Sequence, residues 1–170
     1  RRVRHAVPLA HLGIGGGVIK VPVLNAWCGV PLRAAAATSA FMIGVTAAAG
    51  AIIIAPSNPW LSVDPILAVP GIATALRAAA APVVAVSPII DGKAIKGPTA
   101  KLMTELGLPV TNASIATHYR DVIDGLVIDS GDSADGVGIP AATTATLMST
   151  LDDRARVAQT ALELAAVLAT

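Results

Sequence analysis

Apolar and polar positions divide this chain into short β-branched runs set between helix-like stretches. Ala51-Ile52-Ile53-Ile54 and Pro82-Val83-Val84-Ala85-Val86 are unbroken apolar runs that empty into proline-containing loops, and Leu126-Val127-Ile128-Asp129 is a third such run. Runs of this length bounded by turn residues predict strands buried on both faces. Ala145-Thr146-Leu147-Met148 predicts a weaker fourth strand. Ser62-Val63-Asp64-Pro65 offers an N-cap with an early proline, predicting a helix that Pro70-Gly71 interrupts before it ends near Ala80. Pro98 opens another helix, with Leu102, Met103 and Leu106 on one face and Gly107 as its stop, and Asn112 is expected to cap a short helix through Tyr119. Ser149 and Asp152 resemble a capping box for a last helix reaching about Ala169, whose inner stripe is Val157, Ala161, Leu164 and Leu168. Strand–helix alternation of this kind predicts an α/β fold with a mainly parallel sheet.

The first fifty residues follow a different pattern, and the chain divides into an apolar, Ala/Gly-rich helical segment over 1–50 and an α/β portion over 51–170. Ala34 to Pro56 is a run of 23 residues without a charge, long enough to span the hydrocarbon core of a bilayer. Gly44 and Ala48, four apart, would let helices approach closely in lipid; a buried Ala-rich helix of a soluble protein has the same pattern. Gly15-Gly16-Gly17-Val18-Ile19-Lys20 does not make a nucleotide loop. A dinucleotide fingerprint needs glycine where Val18 stands, and a phosphate loop needs Gly-Lys-Ser/Thr. Arg1-Arg2-Val3-Arg4 begins like a signal peptide, but Pro8, His11 and the glycine cluster break the apolar stretch, so that reading is set aside.

Charge sharpens the division. From Arg1 to Pro59 the only charged residues are Arg1, Arg2, Arg4, Lys20 and Arg33, whereas beyond it the remaining Lys and Arg face all eleven Asp and Glu. The net charge of +1 therefore averages two unlike segments. Only 14% of residues are charged, against about 25% in an ordinary soluble domain, which favours membrane or deeply buried sheet. Basic residues are too few for nucleic-acid binding. Cys28 stands alone, so no intramolecular disulfide can form, and beside Trp27 it reads as a small buried hydrophobe rather than a nucleophile.

Two segments carry resemblances. GIGGGVIKVPVLN followed by GVPLRAAAATSAFMIGVTAAAGA, over roughly His11 to Ala51, resembles the sulfite exporter (TauE/SafE-like) family of membrane transporters. That resemblance implies a fragment of a small-anion transporter, with membrane association through residues 34–56 and with Thr38, Ser39 and Gly15–Gly17 along an anion path.

The chemistry of the second segment lies in its loops. In parallel sheets, ligands gather at the carboxyl ends of strands. Two consecutive predicted strands end in Ser57-Asn58-Pro59 and Ser87-Pro88, and the second loop continues through Gly92-Lys93 to Lys96-Gly97. Hydroxyls, the Asn amide and free backbone N–H groups can hold phosphate oxygens, two lysines add positive charge, and glycines allow close approach. The alternative is that both are plain connectors with solvated lysines.

IIIAPSNPWLSVDPILAVPGI, APVVAVSPIIDGKAIKGPTAKLMTELG and HYRDVIDGLVID, in that order, resemble the carboxyl-terminal half of the 2-phospho-L-lactate transferase (CofD) family over Ile52 to about Ala166. The resemblance implies a Rossmann-like, cytoplasmic enzyme. Such an enzyme moves a phospholactyl or phosphoenolpyruvyl group from a GDP-activated donor to the hydroxyl of a deazaflavin, releases GMP and uses Mg2+. It implies substrate-binding roles for Ser57, Asn58, Pro59, Ser87, Pro88, Gly92 and Gly97. Lys93 and Lys96 are assigned the catalytic role of stabilising phosphate charge on chemical grounds. No metal ligand is assigned: Asp121, Asp124 and Asp129 suit either a metal or a solvated helix face followed by a strand-end carboxylate. His118 suits a structural role better than that of a general base.

The family's glycine-rich, phosphate-gripping start is not found before Ile52 in this reading. The α/β portion is therefore expected to be partial, weakly active or inactive alone. The rival expectations are a membrane transporter fragment with a passenger, or a fused chain without a physiological role. An open sheet edge would also favour self-association.

Overall fold

The computed structural model describes residues 50–94 and 97–170, which fall within one compact unit of the chain. The predicted 1–50 segment and its likeness to an exporter lie outside the described residues, apart from Gly50.

A four-stranded parallel sheet organises the described residues. Its strands are β1 (Ile52–Ile54), β2 (Val83–Val86), β5 (Gly125–Asp129) and β6 (Ala141–Thr144), in the spatial order β1-β2-β5-β6. Registers run Ile54 to Ala85, Ala85 to Leu126, and Asp129 to Thr144. This is the mainly parallel α/β arrangement that the strand–helix alternation predicted, and the Rossmann-like one that the family resemblance implied.

The alternation of side chains along a strand explains the two cores. Val83 and Ala85 of β2, with Leu126 and Ile128 of β5, face one side, and Val84, Val86 and Val127 face the other. Because both faces are covered, nearly every residue of the central strands is buried, so the sequence shows a continuous apolar run rather than alternation.

The first face is covered by the crossovers. A π-helical turn at Pro59–Val63 leads into α1 (Asp64–Leu67) and α2 (Ile72–Arg77), which connect β1 to β2. A small antiparallel hairpin of β3 (Ile89–Ile90) and β4 (Lys93–Ala94), then α3 (Thr99–Glu105) and α4 (Asn112–Tyr119), connect β2 to β5. Val63, Leu76, Met103, Ile115 and Tyr119 deliver their side chains to this core. The second face is covered by α5 (Leu151–Leu168) through Val157, Ala161 and Leu164, with Leu168 packed beside them. Gly125 makes this close approach feasible: a Cβ there would stand 2.8 Å from a Leu168 methyl and 3.0 Å from a Leu164 methyl.

Several sequence expectations need local correction. The fourth strand is Ala141–Thr144, and residues 145–149 form a connector without regular structure. It lies at the sheet edge, half exposed, where apolar content is a poor guide. The cap of α5 is Thr150 paired reciprocally with Asp153, one position beyond the predicted pair. Thr111, not Asn112, caps α4 by accepting from the Ser114 amide. Leu106 is exposed rather than on the inner face of α3, because the helix ends at Glu105 before that face is completed. The uncharged run 34–56 does not finish as a helix: Ile52–Ile54 is a paired strand. Among the described residues, no helix is long and apolar enough to cross a membrane.

Candidate functional site

The parallel pairing of β1 and β2 fixes where their loops emerge. Ile54 lies opposite Ala85, so Ser57-Asn58-Pro59 and Ser87-Pro88 leave the same edge of the sheet from neighbouring strands. The loop that follows Asp129 leaves that edge one strand further along, since β2 also pairs in parallel with β5. Five of the residues singled out from sequence therefore share one rim: Ser57, Asn58, Pro59, Ser87 and Pro88.

Each has a definite local role. Asn58 caps the π-helical turn, its Oδ1 accepting from the Leu61 amide at 2.9 Å, and Pro59 is buried as the first residue of that turn. The Asn58 Nδ2 is buried without a partner among the described residues. Ser57 and Pro88 are half-buried. Ser87 is only 1% exposed, and its backbone amide continues the sheet by donating to the Val127 carbonyl at 2.8 Å. Its hydroxyl donates to Oδ1 of Asn112 at 2.5 Å and accepts from the Ile89 amide at 3.1 Å.

Lys93 lies on β4, exposed, opposite Ile90 in the hairpin that grows out of the Ser87 loop. Asp91 and Gly92 form the hairpin turn, both with positive φ (52° and 64°), a backbone region that glycine enters without cost and aspartate tolerates. The Gly92 amide donates to Oδ1 of Asp132 at 2.7 Å, which ties the hairpin to the loop after β5. Gly97 follows with φ of 75° and is exposed. Lys96 lies outside the described residues.

The carboxylates of this rim do different work. Asp129 is buried at the tip of β5 and accepts from the Thr146 amide at 2.7 Å, the Thr146 hydroxyl at 3.0 Å and the Gly131 amide at 2.9 Å. Burial pushes its carboxyl pKa up, but these donors outweigh burial and hold it below the ordinary aspartate value. Asp91 stands against Gly131, where a Cβ would come within 2.5 Å of its Oδ1. Among the described residues, no three His, Cys, Asp or Glu side chains converge closely enough to hold a metal ion. These residues thus do not fit a protein-built cage for magnesium.

His118 packs against the turn that Asn58 caps. Its Nε2 is 2.9 Å from Oδ1 of Asp64, and the Trp60 ring lies 4.8 Å from its centroid. Asn112 and His118 are six residues apart on α4, about 9 Å along the axis, so His118 clamps α4 to α1 and takes no part in the Ser87–Asn112 contact. Tyr119, next to it, is buried in the core; desolvation pushes its phenol pKa up, and the Asp64 charge adds to this. Asp124, at the opposite end of the sheet, accepts from the Val83 amide at 2.8 Å and is structural.

Sequence reasoning missed Asn112 and Asp132 as parts of the rim. Asn112 is read from sequence as a helix cap, and the displacement of that role to Thr111 frees its side chain for Ser87. Asp132 gives no local signal, because its partner Gly92 is forty positions away.

The chain is similar in sequence to known proteins. The model of the family described as 2-phospho-L-lactate transferase CofD matches residues 20–166. A phosphoenolpyruvate transferase of Mycobacterium leprae (strain TN) is 38% identical over 142 residues, 81% of this chain and 42% of that protein. One from Kitasatospora aureofaciens is 40% identical over 125 residues, 70% of this chain and 39% of that protein. A 2-phospho-L-lactate transferase of Methanocaldococcus jannaschii is 42% identical over 114 residues, 66% of this chain and 36% of that protein. The chain spans about two fifths of the length of these curated relatives. The family match starts at residue 20, earlier than the likeness drawn from Ile52 onward, and so enters the segment likened to an exporter. With a match over most of its length and a sheet that presents the paired loops on one rim, the chain belongs to the 2-phospho-L-lactate transferase CofD family.

Proposed function

We propose that the described rim is the donor-phosphate side of a transferase that moves a phospholactyl or phosphoenolpyruvyl group from a GDP-linked donor to a deazaflavin hydroxyl. The observation that carries this reading is the parallel register of β1 and β2, which delivers the Ser57-Asn58-Pro59 and Ser87-Pro88 loops to one edge. The names of the relatives, phosphoenolpyruvate transferase and 2-phospho-L-lactate transferase, supply the two candidate groups.

In the reaction, the acceptor oxygen forms a bond to the phosphorus bearing the transferred group. The anhydride bond to the nucleotide phosphate breaks, GMP leaves with the bonding pair, and the acceptor hydroxyl proton is lost. Negative charge grows on the departing phosphate, and a cation near it lowers the barrier. Lys93, carried outward on the hairpin, is assigned that role, with Lys96 as its neighbour in sequence. Asn58 offers its unpartnered Nδ2 donor, and Gly92 and Gly97 let the backbone come close. Ser87 contributes shape rather than a donor, because its hydroxyl proton is directed to Asn112. Magnesium would travel with the donor's phosphates, which need few protein carboxylates to hold it. No step here runs through it.

Transfer needs all groups positioned together, and the chain covers about two fifths of its relatives. The expected behaviour of the chain alone is therefore GDP and GMP binding without appreciable turnover. Titration calorimetry of the full chain with GDP tests this, using Lys93→Ala beside the parent protein. Heat of binding that weakens in the variant supports the reading; flat traces for both would remove it.

A further inference from the structure

We propose that Asn112 is a positioning residue which, through Ser87, fixes the hairpin carrying Lys93 for its anionic ligand. This rests on the donor-phosphate reading above and names the device that sets that site's geometry.

Both partners are almost wholly buried, Ser87 at 1% and Asn112 at 3% exposure. The Asn112 amide can be oriented in only one sensible way. Its Nδ2 faces the Ser133 carbonyl at 3.5 Å, so its Oδ1 faces Ser87; the flipped amide would set oxygen against oxygen. Asn112 therefore accepts, and the single Ser87 proton points at it. That leaves the Ser87 oxygen lone pairs toward the Ile89 amide, which donates to it. Ile89 opens β3, and β3 pairs with β4 through Ile90 and Lys93. A hydrogen-bonded path thus runs from the start of α4 through Ser87 and Ile89 to Lys93.

A second path closes the circuit from the other side. Ser133 receives Asn112, and its neighbour Asp132 accepts from the Gly92 amide at 2.7 Å. The loop after β5 consequently holds both the amide that orients Ser87 and the turn next to Lys93. α4 gains no cap from Asn112, since Thr111 already provides it. A buried polar pair adds little net stability over an apolar pair of the same shape, whereas a fully satisfied network specifies one geometry. The pair is placed where geometry matters, between two loops of the same rim.

The test is a double-mutant cycle on the full chain with Ser87→Ala, Asn112→Ala and the double variant. It is read by GDP titration and by hydrogen exchange of the Ile89 amide. If Asn112 acts through Ser87, each single variant loses about tenfold in GDP affinity, and the double loses no more than the worse single. Exchange at Ile89 accelerates at least about tenfold in Asn112→Ala, while the amides of β5 keep their protection. Additive losses, or an Ile89 amide as protected as in the parent, would overturn the proposal. If the parent protein binds no GDP, the donor-phosphate reading fails separately, and the exchange result alone decides the positioning role. Should Asn112→Ala not fold, Asn112→Leu, close in size but without the acceptor oxygen, takes its place, and unchanged Ile89 protection in it equally overturns the proposal.

Discussion

His118 and Asp64, 54 positions apart in sequence, meet at 2.9 Å and join the end of α4 to the start of α1. The contact leaves both partly solvated, with side-chain exposures of 21% and 39%, and Trp60 lies at a tilt against the imidazole. The pair joins the two crossovers of the first face, one from β1 and one from β2.

Replacing His118 with Ala should therefore cost stability and leave ligand binding alone. A partly exposed pair of this kind contributes about 1 kcal/mol. Chemical denaturation should show that loss, and GDP titration should match the parent. A large drop in GDP affinity without a change in stability would instead place His118 in the chemistry.

Asp129 should set part of the acid limb of stability. Its folded pKa lies below the ordinary aspartate value, so the stability it contributes is fully present above that ordinary value, about 4. It is lost as pH falls through the lower folded value. In Asp129→Asn, one position of the side chain becomes an NH2 group facing the donors of Thr146 or Gly131. We expect a loss of about 1–3 kcal/mol at neutral pH and, from there downward, a shallower fall in stability once the pH drops below about 4. Denaturant midpoints measured across that range check both.

Gly131→Ala should disturb the rim without touching the core. The new Cβ would sit 2.5 Å from Oδ1 of Asp91 and 3.3 Å from Oδ1 of Asp129, forcing the Asp91 carboxylate to move. The expected cost is about 1 kcal/mol, with amide chemical-shift changes concentrated at residues 91–94. Shifts spread through α5 instead would contradict this.

Ile115 anchors α4 in the first core at 0% exposure. Ile115→Ala should cost about 2–5 kcal/mol. Because α4 also carries Asn112, the loss should be accompanied by faster exchange at Ile89. Destabilisation measured by urea unfolding, with Ile89 protection following it, is the expected pattern.

Much of the fold is legible because strands buried on both faces leave continuous β-branched runs. Ile52–Ile54, Val83–Val86 and Leu126–Asp129 stand out for that reason, and the stripe Val157, Ala161 and Leu164 marks the inner face of α5. β6 is not legible, because Ala141-Ala142-Thr143-Thr144 is a half-exposed edge with no apolar run. The hairpin of β3 and β4 is not legible either, because two-residue strands carry no periodicity. Of the rim, the Ser-Pro and Gly-Lys loops were visible by composition, whereas Asn112 and Asp132 were not. Their partners lie 25 and 40 positions away.

By itself the sequence determined the α/β class, the order of the helices and main strands, and the two loops rich in hydroxyl, amide and cationic groups. These follow from local preferences and from apolar spacing, both of which act over a few residues. Only the tertiary structure decided that β1, β2 and β5 are neighbours in that order and register, so that the loops share a rim. It alone directed the Ser87 proton to Asn112 and drew His118 to Asp64. Those outcomes depend on which distant groups must satisfy one another once water is excluded, and local preference carries no information about that.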